Sequence, residues 1–345
     1  MTRFLSQEAA VGFVERCRKK HVVIGLAASQ MAWDQVEADA CVSAFRMPRA
    51  AQSAKGFFMP VSESLGRYGA QAGDEGARPD KEVVLLGVRA CELRARDYLD
   101  RVFQQGDFRD PMYDQRRGSL IIVSCDCVDC AESCFCPLVA GQPFATDGFD
   151  LNFSPVDGGF IVEVGSDRGR ALLEECGPTQ QKDAAAQQFA QRDRQRQQML
   201  ERLKRQNGDF EFDVADEAIT PLPKDNHGDW QRFAADCVEC GACTNICPTC
   251  HCFYLYDQVL GDDRFERVRT WDSCLLSSYH RMAGGEHMKL TPRPQLLGRL
   301  ANRVLHKFTY SPQQYEMLGC VGCGRCIDAC LGEIDIRQVV QELNG

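Results

Sequence analysis

Two cysteine runs with one shared spacing constrain this chain more than any other feature. Cys237-x2-Cys240-x2-Cys243-x3-Cys247, followed by Pro248, is repeated as Cys320-x2-Cys323-x2-Cys326-x3-Cys330. Three thiolates on one tight loop can cap three irons of a [4Fe-4S] cube, and the fourth, carried off by the next helix, reaches a second cube. The swap predicts one cluster on Cys237, Cys240, Cys243 and Cys330, and another on Cys320, Cys323, Cys326 and Cys247. Gly241, Gly322 and Gly324 suit a backbone that curls closely around sulfide and donates amide hydrogens to it. Zinc is the competing reading, but zinc sites pair Cys-x2-Cys units that lie far apart rather than using three cysteines at x2, x2 spacing.

The two runs account for eight of 20 cysteines in 345 residues, and disulfides do not explain the rest. Disulfide frameworks belong to short secreted chains, whereas the opening MTRFLSQEAAVGFVERCRKK scatters charge where a signal peptide needs an apolar core. No run approaches the roughly 18 apolar residues of a membrane span. The expectation is a cytoplasmic protein without membrane insertion, its thiols reduced and free for metal.

Up to about residue 175, short apolar runs alternate with helix-like segments, the pattern of an α/β layer structure. Val83 to Val88 and Leu120 to Val123 read as buried strands, Phe160 to Val164 as a third, and Cys91 to Phe103 as a crossover helix. Residues 73 to 81 and 105 to 118 read as loops. From Thr179 to Asn207 the chain turns to Gln, Arg, Ala, Asp and Lys, which suggests a helical connector ending at Asn207-Gly208. The expected organisation is an α/β domain over 1–175, a helical linker over 176–208, and an α+β dicluster ferredoxin domain over 209–345. That last domain has an insertion between its cysteine runs.

Ligands collect at the carboxyl ends of parallel strands. Cys91 follows the first strand and Cys125 the second, with Cys134-Phe135-Cys136 able to fold back over them. A third [4Fe-4S] cluster on Cys91, Cys125, Cys134 and Cys136 is therefore expected, with Cys127 and Cys130 as possible replacements and zinc or spare thiols as the alternative. Cys250, Cys252 and Cys274 lie between the ferredoxin runs and either complete another site, with His251 or Asp272, or tune a neighbouring cluster. Cys17, Cys41 and Cys176 read as buried small hydrophobes.

The segments CVECGACTNICPTCHCFYLYD, TWDSC, AGG, HKF and CVGCGRCIDAC resemble one family of ferredoxin-like iron-sulfur subunits. Its members serve sulfhydrogenase (as the beta subunit), anaerobic sulfite reductase, and the flavin oxidoreductase linked to heterodisulfide reductase. KGFFMPVSESL, LLGVRACELRARDYLDRVF, YDQRRGSLIIVSC and CFC extend the resemblance over nearly the whole chain. The departures are Glu92 where the family has Asp, two additional thiols between Cys125 and Cys134, and Leu331 in place of Pro. The resemblance implies electron relay between an FAD/NAD(P)-binding flavoprotein that oxidises NAD(P)H and a hydrogenase, sulfite reductase or heterodisulfide reductase module. It also supports the Cys91, Cys125, Cys134 and Cys136 set.

The chain carries no G-x-G-x-x-G after a strand, no Walker loop and no G-x-S-x-G, hence no recognisable nucleotide or flavin site of its own. A net charge of −9 without a long basic run argues against nucleic acid. The six histidines show no i, i+4 pair and read as surface or cluster-neighbour residues. Lys289, Arg293, Arg299, Arg303, His306 and Lys307 form a basic stretch that is a solvated face, a docking edge or a positive field for anionic clusters. The alternative to a relay is an iron-sulfur enzyme that reduces a small sulfur substrate at a cluster with an open iron. A zinc-based interaction module is a third class.

Overall fold

A computed structural model describes residues 2–27, 32–69, 82–179, 182–215, 218–219, 222, 227–261, 263–281 and 291–344. The expected loop at 73–81, the AGG segment, His287 and Lys289 lie outside the described residues.

The first half is built on a mixed sheet of eight strands: β1 (Thr2–Ser6), β2 (Val22–Ala27), β3 (Ala32–Asp34), β5 (Val83–Val88), β6 (Leu120–Cys125), β7 (Leu151–Val156), β8 (Gly159–Val164) and β9 (Lys182–Asp183). The one intervening strand, β4 (Ser62–Gly69), belongs to another sheet. The order across the main sheet is β3-β2-β5-β6-β7-β8-β1-β9. The pairs β2–β5, β5–β6 and β6–β7 are parallel, and the flanking pairs are antiparallel.

Strand alternation divides the core in two. Val84, Leu86, Ile121, Val123 and Cys125 face helices Gln7–Lys20 and Asp167–Cys176, where Cys17, Cys41 and Cys176 are buried among Phe13, Val14 and Leu173. Leu85, Val88, Leu120 and Ile122 face helix Ala90–Phe103 through Leu93, Tyr98, Leu99 and Phe103. Val84, Leu85 and Leu86 are fully buried, each contributing about 1.5–3 kcal/mol relative to exposure. Covered on both faces, β5 and β6 need continuous apolar runs, as their sequences have.

The stretch 105–118 departs from the expected loop, because Pro111–Ser119 is helical. Asp110 caps this helix by accepting from the Met112 and Tyr113 amides at 3.0 and 2.9 Å, and Pro111 takes the first turn, where a missing N–H costs nothing.

Helix Ala186–Gln206 is docked against the sheet. Arg196 bonds Asp126 at 2.7 Å and Glu163 at 2.9 Å, while Met199 and Leu203 pack on the Cys127–Cys136 loop. Gln206 and Asn207 then donate to the Cys134 carbonyl at 2.7 and 2.9 Å, so the end of this helix holds the cysteine loop directly.

In the second half, helices Leu296–Leu305 and Ile336–Asn344 enclose a core of Leu300, Val304, Phe308, Val339, Val340 and Trp230, which also takes in Phe135 and Val139 from the first half. A short hairpin pairs β10 (Val214–Ala215) with β11 (Ala218–Ile219). Between the cysteine runs, β12 (Phe253–Gly261) and β13 (Arg264–Trp271) form a hairpin, and β13 pairs with β4. One small sheet is thereby shared by both halves. The buried carboxylate of Glu63 on β4 pairs with Arg269 on β13 and with Arg116 of the capped helix.

Candidate metal centres

Both ferredoxin-type runs fold into the same short structure. Each has two left-handed residues ahead of a four-residue helix: Glu239 (φ 52) and Gly241 (φ 70) before Ala242–Asn245, and Gly322 (φ 65) and Gly324 (φ 73) before Arg325–Asp328. Glu239 takes the left-handed conformation with its side chain paired to Arg299. Gly322 has no such freedom, since a Cβ there would meet the Cys136 Cα at 2.5 Å.

The tertiary structure brings cysteines of the two runs side by side. Cys237, Cys240, Cys243 and Cys330 line one cavity, which Cys326 and Arg303 also line. Cys247 lies within electrostatic range of Cys320, Cys323 and Cys326. Burial raises the Cys320 thiol to about 11 and that of Cys326 to about 12. Such thiols resist ionising without a metal to supply positive charge.

A third cavity is lined by Cys91, Cys127, Cys130, Cys134 and Cys136. Cys125 does not line it. Cys125 ends β6 on the face shared by Ile121 and Val123, is 1% exposed, and donates its thiol to the Phe45 carbonyl at 3.3 Å. The alternation of the strand commits it to the apolar core, whereas Cys127 lies past the strand end and turns to the cavity. Cys130 sits at the rim, its thiol 3.4 Å from Gln206 Oε1. This cavity abuts the second ferredoxin loop: Phe135 N donates to Gly322 O at 2.8 Å, and Arg49 bridges the Cys323 carbonyl, Ser133 and Asp328.

Buried cations surround these sites. Arg299, Arg303 and Lys307 recur every four residues and face inward at 3–6% exposure, so this part of the basic stretch is neither a solvated face nor a docking edge. Lys307 Nζ lies 3.2 Å from Cys247 Sγ and 3.0 Å from Thr249 Oγ1. Burial opposes its charge, but Cys247 and Cys250 outweigh that and raise it well above the ordinary lysine value. Arg303 has no hydrogen-bond partner at Nε or Nη2 although it is buried among Cys243, Cys326, Cys250 and Cys247. A buried guanidinium without acceptors is costly, and anionic thiolate-bound clusters on either side would satisfy it. The residues present therefore fit [4Fe-4S] groups.

Two further buried arginines were missed by sequence reasoning. Arg89 donates to the carbonyls of Phe45, Ala44, Met47 and Asp126 at 2.7–3.1 Å, fixing the loops around Cys91 and Cys127. Arg325, inside the second ferredoxin loop, pairs with Glu92, the residue that departs from the family pattern. An arginine within two residues of a cysteine in a buried segment was the available signal in both cases.

Residues 236–334 match the family model of a 4Fe-4S dicluster domain. Over 268 residues the chain is 31% identical to the sulfhydrogenase 2 subunit beta of Pyrococcus furiosus, covering 76% of this chain and 75% of that one. The chain belongs to the sulfhydrogenase beta-subunit family. It is a mixed α/β iron-sulfur family member with its dicluster domain in the C-terminal part. No solved structure matches it. Among the described residues, no helix is long and apolar enough to cross a membrane.

Cys250, Cys252 and Cys274 line a separate, larger cavity of about 560 Å³ next to the Cys247 site. His251 and His306 stand with ring centroids 5.6 Å apart beside it, and burial lowers them to about 4 and about 3. Both are therefore neutral neighbours of a centre at neutral pH. His21 lies elsewhere, beside Glu175 and Cys176.

Proposed function

We propose that this chain is an electron-transfer subunit that relays single electrons through three [4Fe-4S] clusters. Its partners in this reading are a flavoprotein that oxidises NAD(P)H and a catalytic oxidoreductase of hydrogenase, sulfite reductase or heterodisulfide reductase type. The observation that carries it is continuity: the cysteine-lined cavities adjoin one another through the Phe135–Gly322 contact and the Arg303 position. Family membership supports a place in a multisubunit complex.

In this reading, Cys237, Cys240, Cys243 and Cys330 hold one cluster and Cys247, Cys320, Cys323 and Cys326 the second. Cys91, Cys127, Cys134 and Cys136 hold the third, with Cys127 in the place first expected for Cys125. The clusters supply one-electron redox chemistry within the wide span of roughly −700 to +450 mV open to such groups. The protein's own residues set the environment: Lys307, Arg303, Arg325 and Arg49 place positive charge beside the thiolates, and the second ferredoxin loop packs at Gly322 and Gly324 against Ser133–Cys136. The organisation that serves this is an α/β part over 1–175, a helical segment over 176–208 and a dicluster part over 209–345.

Anaerobic iron and sulfide quantitation with EPR of the reduced protein tests the reading. About twelve irons per chain supports three cubes, and about eight removes the first-half centre. Reconstitution with the two partners should couple NAD(P)H oxidation to the catalytic reaction. Coupling that persists without this chain overturns the relay.

A further inference from the structure

The cavity beside the Cys247 site is absorbed by neither ferredoxin-type centre, and two features set it apart. The first is a thiol pair. Cys252 immediately precedes β12 and Cys274 follows β13 closely. The antiparallel register pairs Phe253 with Trp271, and Asp272 N donates to Cys252 O at 3.0 Å, which brings the two side chains together across the hairpin base. Their sulfurs are in hydrogen-bonding contact and both cysteines are free. The second feature is charge: Arg293, Arg303 and Lys307 line the same cavity, and among the described residues none that lines it is Asp or Glu. Its volume of about 560 Å³ is that of a small-molecule site.

The pair is also asymmetric. Contact with Cys274, together with the Tyr279 hydroxyl and Lys307, lowers Cys252 to about 6, while the same contact and burial raise Cys274. One member is the stronger nucleophile at neutral pH and the other keeps its proton.

We propose that Cys252 and Cys274 form a redox-active dithiol that exchanges with a small anionic disulfide bound in the cation-lined cavity. Cys252 thiolate attacks one substrate sulfur, the substrate S–S bond breaks, and one thiolate leaves. Cys274 then attacks the Cys252 sulfur, the second substrate thiol departs with the Cys274 proton, and a Cys252–Cys274 disulfide forms. Two electrons, passed one at a time from reduced [4Fe-4S] centres of this chain, and one proton restore the Cys252 thiolate and the Cys274 thiol. The relay reading enters only as the source of those electrons.

The test uses the full iron-loaded chain under anaerobic conditions, with dithiodiglycolate as the dianionic probe and bis(2-hydroxyethyl) disulfide as the neutral one. The expected result is two thioglycolates released per chain and a Cys252–Cys274 disulfide found by peptide mass spectrometry. Cys274→Ser should release one and trap a mixed disulfide on Cys252, and Cys252→Ser should release none, both with unchanged iron content. Arg293→Gln should slow the dianionic probe roughly fivefold and leave the neutral one unaffected. A variant that loses about four irons, or equal labelling of both serine variants, overturns the proposal, the former by making these cysteines metal ligands. Reduced methyl viologen should regenerate the dithiol in the loaded protein and not in apoprotein. Exchange without that recovery overturns the relay as electron source and leaves the exchange site standing, so the two failures are distinguishable.

Discussion

Cys125 and Cys127 are two residues apart and have different fates, because one ends a buried strand and the other has left it. Cys127→Ser should reduce iron by about four per chain, whereas Cys125→Ser should keep the full iron content and cost about 1–3 kcal/mol from a hydroxyl placed in an apolar core. Iron quantitation paired with denaturant unfolding separates them. The parity of the strand was legible in the sequence, since Ile121, Val123 and Cys125 share a face once Leu120 to Val123 is read as a strand. Arg303 makes a second residue-level case. Its unpartnered guanidinium lies among thiolates of two sites, so Arg303→Met should lower the reduction potential of the adjacent cluster, because reduction adds negative charge that Arg303 stabilises. A shift of about 60 mV corresponds to a tenfold change in the one-electron equilibrium, and a redox titration followed by EPR would measure it. An upward shift would show that the arginine does not face the cluster.

At the scale of elements, the two ferredoxin loops share one backbone shape but differ in what they touch. The Glu239 loop faces outward, and the Gly322 loop is wedged against Cys136 and Ser133. Gly322→Ala adds a Cβ into the Cys136 backbone and also places a side chain at positive φ, which alone costs roughly 1–2 kcal/mol. The expected outcome is a lower unfolding midpoint together with loss of iron from both adjoining sites; a stable, fully loaded variant would show that the loops can separate. The motif spacing predicted the glycine. It did not identify its contact partner, which comes from a segment nearly 190 residues earlier. The helix Pro111–Ser119 is hard to see in the sequence for a similar reason: its Asp110-Pro111 start is a good N-terminal signal, but Gly118 and the charged residues Asp114, Arg116 and Arg117 leave a weak apolar stripe. Its face is fixed by packing Tyr113 on Phe103, and by the Arg116–Glu63 pair.

Across the whole molecule, the two halves meet through three kinds of contact: the shared β4–β13–β12 sheet, the apolar core containing Phe135 and Val139, and buried arginines reaching between cysteine loops. The strongly buried cations near the cysteines make the iron-free state electrostatically unbalanced. Removing iron with a chelator under reducing conditions should therefore leave the eight-stranded sheet folded while exposing the cysteine loops at 237–247 and 320–330 to protease, because the sheet has its own two-faced core and those loops pack around buried charge. Limited proteolysis of apo and loaded protein measures this; equal resistance would show that side-chain packing alone holds the loops.

The amino-acid sequence by itself determined the chemistry: eight thiols at ferredoxin spacing, strands at Val83 and Leu120, and a family pattern along most of the chain, all of them local signals set by spacing and apolar run length. Only the tertiary structure decided which thiols share a cavity. Cys326 lines the same cavity as Cys237 and Cys330, and Cys127 replaces Cys125 beside Cys91. Cys252 meets Cys274 across a hairpin, and a basic stretch turns inward as every fourth residue of a buried helix. These pairings depend on strand parity, helix phase and chain crossings, which bring together residues far apart in sequence and are fixed only when the apolar faces pack.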